Sequence, residues 1–163
     1  MRQLFDLLEN LLQFHKALYT LATQKKSVLI KGHVDELIAI TSKEQKLIKG
    51  VITAEEERQK LMKQIVSEKN IALQDYTLAE FIKWTTSAEE KNQLTNYRND
   101  LIRIVSDLRD ANELNQQLLG QSLSFVNIQL DMILDTPEED FIYKKPTVSN
   151  LQVSKRAIIN NKA

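Results

Sequence analysis

The sequence predicts an all-α protein: an elongated antiparallel helical hairpin or bundle of three long helices, with a short connecting helix and a flexible C-terminal tail. Of its 163 residues, three are glycine and two are proline, and aromatic residues make up 6%. Strong helix formers dominate the remainder, and apolar residues recur at spacings of three and four. We therefore expect one helical domain over residues 1–136 and a mobile basic tail over residues 137–163.

The first two predicted helices follow from two heptad-like rows. The first row is Leu4, Leu8, Leu11, His15, Leu18, Ala22, Lys25 and Leu29. Gly32 suits the left-handed position that commonly follows a helix. The second row restarts after His33, includes Glu44 and continues to Ile65. An antiparallel hairpin is expected, and one long rod kinked at Gly32 is the alternative.

Two capping boxes predict the next two helix starts. Thr77 and Ser87 each precede a glutamate by three residues. In this arrangement the hydroxyl oxygen accepts the glutamate's backbone N–H, and the glutamate side chain can bond back to the cap residue. A short helix, LAEFIKWT, is expected after Thr77, with Trp84 packed as a plug against the hairpin.

The third long helix is predicted from Ala88 to about Asp135. Pro137 lacks an N–H and keeps the residue before it out of helical geometry, so the helix cannot continue past this point. Glycine is permissive in conformation, so Gly120 is expected to admit either a bend or the close approach of a partner backbone.

The apolar row of this third helix changes frame within NELNQQLLGQSLSFV (112–126). The first frame runs into polar residues, namely Asn115, Ser122 and Gln129. The adjacent frame offers Leu119, Leu123, Val126, Leu130 and Ile133. Consecutive spacings of four form a stutter, which moves an apolar row around a helix. The last turns are therefore expected to present their leucines to something other than the first-half neighbour.

Composition argues against several functional classes. The chain has no cysteine, so a disulfide framework or a thiolate metal site is impossible. His15 and His33 lack the preceding glutamate of a Glu-x-x-His pair, and no catalytic motif is present. We expect no enzymatic activity, no cofactor and no metal. We interpret His15 as a member of the seam, the apolar row along which the first helix packs on its neighbour, and His33 as a turn residue.

Charge and hydropathy narrow the expected location and partners. No apolar run reaches the roughly 20 residues of a membrane span, and the leucine-rich start carries acids, unlike a signal peptide. The cytosol is therefore the expected location, without membrane insertion. Basic and acidic residues balance at 22 each. The basic tail has no aromatic platform, so nucleic acid is not an expected partner.

Four segments together resemble a known family. They are KGHVDEL (31–37), SKEQKLIKG (42–50), Arg58 towards the close of the second helix, and NELNQQLLGQSLSFVNIQLDMIL (112–134). The most specific part is a set in the last segment, namely Asn112, Asn115, Leu118, Leu119, Ser122 and Leu123. Residues 1 to about 135 resemble the FlgN family of flagellar export chaperones.

The resemblance implies a cytosolic, non-enzymatic chaperone of the flagellar type III export pathway. Such a protein binds C-terminal segments of the hook-filament junction (hook-associated) proteins, prevents their early assembly and delivers them to the membrane export gate. The implied substrate-binding residues are Leu119, Leu123, Val126, Leu130 and Ile133. Phe141 and Tyr143, just beyond the helix, are the implied contact with the gate.

A self-assembling coiled-coil scaffold or adaptor is the competing hypothesis. It is motivated by the seam positions in all three long helices, and it predicts a stable oligomer. The sequence leaves open whether the chain self-associates. It also leaves open whether the tail covers the apolar end of the third helix when no partner is bound.

Overall fold

The computed structural model describes residues 1–68 and 76–134, and these two ranges contain four α-helices and no strand. The helices are α1 (Arg2–Lys31), α2 (Val34–Glu68), α3 (Leu78–Trp84) and α4 (Ala88–Leu134). The all-α class is confirmed, with its three long helices and one short connecting helix. The tail predicted for 137–163 lies outside the described residues.

A left-handed glycine ends α1. Gly32 has φ 71° and ψ 26°, a conformation that costs little for a residue without a Cβ. Its N–H donates to the carbonyl of Leu29, and the N–H of His33 donates to the carbonyl of Val28. These bonds satisfy carbonyls that the end of a helix leaves without partners. The predicted role of Gly32 is confirmed.

The two helices joined by this turn pack antiparallel along their length, so the kinked rod is wrong. Lys25 of α1 forms an ion pair with Glu44 of α2. Farther from the turn, the ring of Phe14 lies against Gly50, where an added Cβ would come within 3.0 Å of the ring. Gly50 thus allows α2 to approach the aromatic side chain closely.

The last long helix, α4, packs on the other side of α1 and runs parallel to it. The rings of Phe5 and Tyr97 stack with centroids 6.2 Å apart. Farther along, the side chain of Asn115 contacts the backbone of Ala22. The sequence offset between partners is 92 in the first pair and 93 in the second, so one register holds along the seam. Across the described ranges, no Cα atom of α2 lies within 8 Å of a Cα atom of α4.

The main core cluster lies at the end of the molecule opposite the hairpin turn. It is formed by side chains from all four helices: Leu4, Leu8, Met62, Val66, Phe81 and Leu94. Phe81 of α3 closes this cluster, whereas Trp84 is 52% exposed. The predicted tryptophan plug is therefore wrong. Trp84 is the last residue of α3, and the chain leaves the helix at the extended residue Thr85.

Side-chain caps start the helices that were predicted from capping boxes. The hydroxyl of Thr77 accepts the N–H of Glu80 at 3.3 Å, and the hydroxyl of Ser87 accepts the N–H of Glu90 at 3.4 Å. Each bond satisfies one of the donors that a helix start leaves open. In the described part of the chain, no helix combines the length and apolarity required to cross a membrane.

Candidate functional site

The candidate site is the C-terminal part of α4, which continues beyond the end of α1. Asn115 lies beside Ala22, and α1 ends nine residues after Ala22, at Lys31. Nine residues after Asn115, α4 reaches Ser124, which is therefore level with the end of α1. From there α4 continues for ten more residues to Leu134. At 1.5 Å per residue, these ten residues extend roughly 15 Å past the hairpin turn. Residues 125–134 are all exposed, so no helix of the described ranges covers this part of α4.

Two residue frames separate along this part of α4, as the stutter predicts. The frame that packs on α1 continues through Asn115, Leu118 and Ser122, which are buried or half-buried. The adjacent frame, beginning with Leu119 and Leu123, is exposed. Beyond the end of α1 the adjacent frame is apolar throughout, whereas the frame that packs on α1 is interrupted by the polar Gln129. The apolar surface is therefore offset from the seam with α1.

The five predicted substrate-binding residues lie together on one face of α4, which we call the leucine row. Spacings of four and three place successive members on the same side of an α-helix. Their exposed fractions range from 42% to 76%. The members of the leucine row are Leu119, Leu123, Val126, Leu130 and Ile133. Such a continuous exposed row is typical of a surface that binds an amphipathic helix.

Little charge accompanies the leucine row. Between Leu118 and Leu134 the sequence contains a single charged residue, Asp131. The hydroxyl of Ser122 donates to the carbonyl of Leu118 at 2.9 Å, and that of Ser124 donates to the carbonyl of Gly120 at 3.0 Å. Both hydroxyls therefore donate within α4 rather than towards a partner.

Asn115 holds the start of the site against α1. Its side chain is 5% exposed, and its Nδ2 donates to the carbonyl oxygen of Ala22 at 2.8 Å. Its Oδ1 is buried, with no hydrogen-bond partner among the described residues. Asn112, the other asparagine of the family motif, is exposed. The two asparagines of the motif therefore differ: Asn115 lies in the α1 seam, and Asn112 lies on the surface.

An ion pair on α2 joins Glu55 and Arg58, and it was not predicted from the sequence. Two guanidinium nitrogens of Arg58 donate to the Glu55 carboxylate at 2.7 and 2.6 Å. These bonds lower the pKa of Glu55 against the opposing effect of its burial, and a hydrogen bond from the Gln59 amide lowers that pKa further. The three-residue spacing of Glu55 and Arg58 in the sequence could have predicted this pair, because side chains at that spacing lie on the same side of a helix.

The two histidines occupy local structural positions. Nδ1 of His15 lies 2.7 Å from the carbonyl oxygen of Leu11 in the same helix. Nδ1 of His33 lies 2.8 Å from a carboxylate oxygen of Glu36. No group of three or more potential metal-ligating side chains occurs in residues 1–68 and 76–134. The predicted gate-contact residues, Phe141 and Tyr143, lie outside the described residues.

Comparisons with known proteins agree with the resemblance seen in the sequence. The profile of the family described as "FlgN protein" matches residues 1–147. The chain is also similar to a protein of Bacillus subtilis (strain 168) named "Uncharacterized protein YvyG". The two are 31% identical over 165 residues, which cover 99% of this chain and 98% of the relative. No solved structure matches the chain. The chain therefore belongs to the FlgN family, and this membership supports a general role as a flagellar export chaperone.

Proposed function

We propose that this protein is a cytosolic type III export chaperone without catalytic activity that binds C-terminal helical segments of hook-filament junction proteins along the leucine row. The observation that carries the proposal is the exposed row itself, which begins beside the last turns of α1 and continues past its end. Binding there would cover the apolar face of a junction protein before assembly. That face would otherwise promote early self-association.

The physical character of the surface suits reversible binding. An unfolded segment loses conformational freedom when it becomes a bound helix, and this loss offsets much of the gain from apolar burial. The leucine row offers five side chains along about four turns, rather than a deep pocket. A complex of this kind can hold its client firmly and still release it at the export gate.

The proposal is tested by placing a charge in the leucine row. Leu123→Asp and Leu130→Asp should each weaken the affinity for a purified junction protein at least about tenfold, because a buried unpaired carboxylate opposes binding. Isothermal titration calorimetry measures the affinity, and far-UV circular dichroism checks that helicity is unchanged.

A matched control comes from the same helix. Ile102 is an exposed apolar residue of α4 outside the row, and Ile102→Asp should leave the affinity near that of the unmodified protein. If the two row variants bind as tightly as the Ile102→Asp control, the leucine row is not the binding surface. The wild-type titration should also show a negative heat-capacity change, as expected for apolar burial.

The proposal extends to delivery at the export gate through Phe141 and Tyr143, and it rests there on the family resemblance. An aromatic side chain can anchor a protein contact through its large apolar area. Tyr143→Ala should therefore reduce co-purification of the junction-protein complex with the soluble part of the gate protein, while the junction protein stays bound. Unchanged co-purification would remove Tyr143 from the contact.

A further inference from the structure

A second exposed apolar row lies on α4, on the side away from the leucine row. It consists of Phe125, Ile128 and Met132, and we call it the phenylalanine row. Spacings of three and four place these residues on one face. Their exposed fractions range from 53% to 75%, so these side chains are as accessible as those of the leucine row.

The two rows lie on nearly opposite sides of the helix. Ile128 is two residues from Val126 and two from Leu130, and two residues of α-helix rotate by about 200°. Polar residues form a border on each side between the rows. One border is Ser124, Asn127 and Asp131, and the other is Ser122 and Gln129. The end of α4 therefore presents two separate apolar faces rather than one broad one.

We propose that the free end of α4 is held between two amphipathic helices of a single bound partner, with one helix on each row. The inference rests on the proposed function and adds the form of the bound segment. A partner that supplied one helix would cover the leucine row and leave a phenylalanine, an isoleucine and a methionine in water. Two helices would remove both rows from water together.

The position of α4 makes both faces available to one partner. From Phe125 onward, α4 runs past the last residue of α1, so neither side is shielded by the hairpin. The leucine row also continues back to Leu119, beside the α1 seam, so a helix on that row can be longer than one on the phenylalanine row. The partner is therefore an unequal helical pair.

The chemistry of the two rows also describes the partner. Asp131 is the single charge at this end and lies on a border, so each partner helix needs an uncharged apolar face. Charged residues of the partner belong on its outer, solvated side. A second copy of this chain fits less well, because pairing two α4 ends covers one row on each chain and leaves the other exposed.

Photo-crosslinking tests whether one partner touches both rows. p-Benzoylphenylalanine is introduced at Val126 in one variant and at Phe125 in another, and each is mixed with a purified junction protein. We expect both positions to crosslink to the junction protein in a one-to-one complex, at two separate helical segments. Crosslinking from Val126 alone would overturn the inference and leave the proposed function standing.

Affinity measurements give an independent answer. Phe125→Asp and Ile128→Asp should each weaken binding of the junction protein at least about tenfold, whereas Ser124→Asp on the border should change it by less than about threefold. An unchanged affinity for Phe125→Asp, with a loss for Leu123→Asp, would show a one-sided complex. If neither substitution weakens binding, the proposed function fails together with this inference.

Light scattering tests whether a second copy of this chain, rather than the junction protein, covers the phenylalanine row. We expect the free protein to have the mass of one chain, and Phe125→Asp to leave that mass unchanged. A dimer that Phe125→Asp converts to a monomer would show that another copy covers the phenylalanine row. That outcome would overturn the two-helix inference even if the junction protein binds to the leucine row.

Discussion

At the scale of single residues, buried polar groups distinguish the seam from the binding surface. Asn115 was visible in the sequence as a polar interruption of an apolar frame. Only the structure shows that its amide bonds the Ala22 carbonyl across two helices. A buried asparagine at a seam position is a known device for fixing the register of paired helices. The interruption therefore belongs to the α1–α4 seam, and the surface for a partner begins beside it.

A second residue-scale feature is the Glu55–Arg58 pair, which makes stability depend on pH. The pKa of Glu55 is lowered in the folded protein, chiefly by its hydrogen bonds to Arg58. A lowered folded pKa means that the stabilisation is fully present above the unfolded pKa, near 4.5. It is then lost as pH falls through the folded value.

Glu55→Gln should accordingly lower the free energy of unfolding at about pH 7 by no more than about 1 kcal/mol, since the Glu55 side chain is 38% exposed. The difference from the unmodified protein should shrink below about pH 4.5 as the native carboxyl protonates. Urea unfolding at neutral and acidic pH measures this difference in the free energy of unfolding. Glu56→Gln, at an exposed position of the same helix, is the control. A difference that grows on acidification contradicts the assignment.

At the scale of secondary structure elements, the sequence predicted the helices closely. Gly32 ended α1, and Thr77 and Ser87 started α3 and α4. The predicted end of the third long helix near Asp135 falls where the described residues stop. These features are local, because capping, glycine geometry and side-chain spacing involve neighbours a few residues apart. The exception was Trp84, whose burial depended on where the short helix α3 met the hairpin.

A substitution at Gly120 tests how helix propensity within α4 affects the stability of the protein. Nothing lies within 4 Å of the place where a Cβ would stand, so alanine fits there without a clash. Gly120→Ala should therefore raise the free energy of unfolding by about 0.5–1 kcal/mol, because alanine loses less backbone entropy in a helix. Urea unfolding followed by circular dichroism measures the change.

Gly50→Ala in α2 is the matched control for Gly120. It brings the same gain in helix propensity, but its Cβ would stand 3.0 Å from the Phe14 ring, so its net stabilisation should be smaller. Equal gains at the two positions would mean that the approach of Phe14 has no energetic effect. Weaker junction-protein binding by Gly120→Ala, together with higher stability, would indicate that a partner backbone approaches Gly120.

At the scale of the whole molecule, the stabilising core and the proposed binding surface lie at opposite ends. Leu8 is fully buried in the cluster where all four helices meet, whereas Leu123 is exposed near the hairpin turn. Mutations at the two ends should therefore separate folding from binding. This separation lets a chaperone bind and release a client without unfolding its own core.

Leu8→Ala should lower the free energy of unfolding by about 2–5 kcal/mol, because it leaves a cavity among well-packed side chains. Leu123→Ala should change it by less than about 0.5 kcal/mol, because that side chain already contacts water. Denaturant unfolding compares the two variants, and calorimetry then measures junction-protein binding by each. A large loss of stability for Leu123→Ala would mean that the end of α4 packs on the body of the protein.

The sequence by itself determined the all-α class, the end of α1, the starts of α3 and α4 and the apolar spacing of the leucine row, because each depends on residues a few positions apart along one chain. Only the tertiary structure decided that α4 runs parallel to α1 in a register that places Asn115 beside Ala22. That register and the end of α1 at Lys31 leave the last turns of α4 uncovered. Whether an apolar row is core or surface depends on the length of the helix facing it, and periodicity within one helix carries no information about that length.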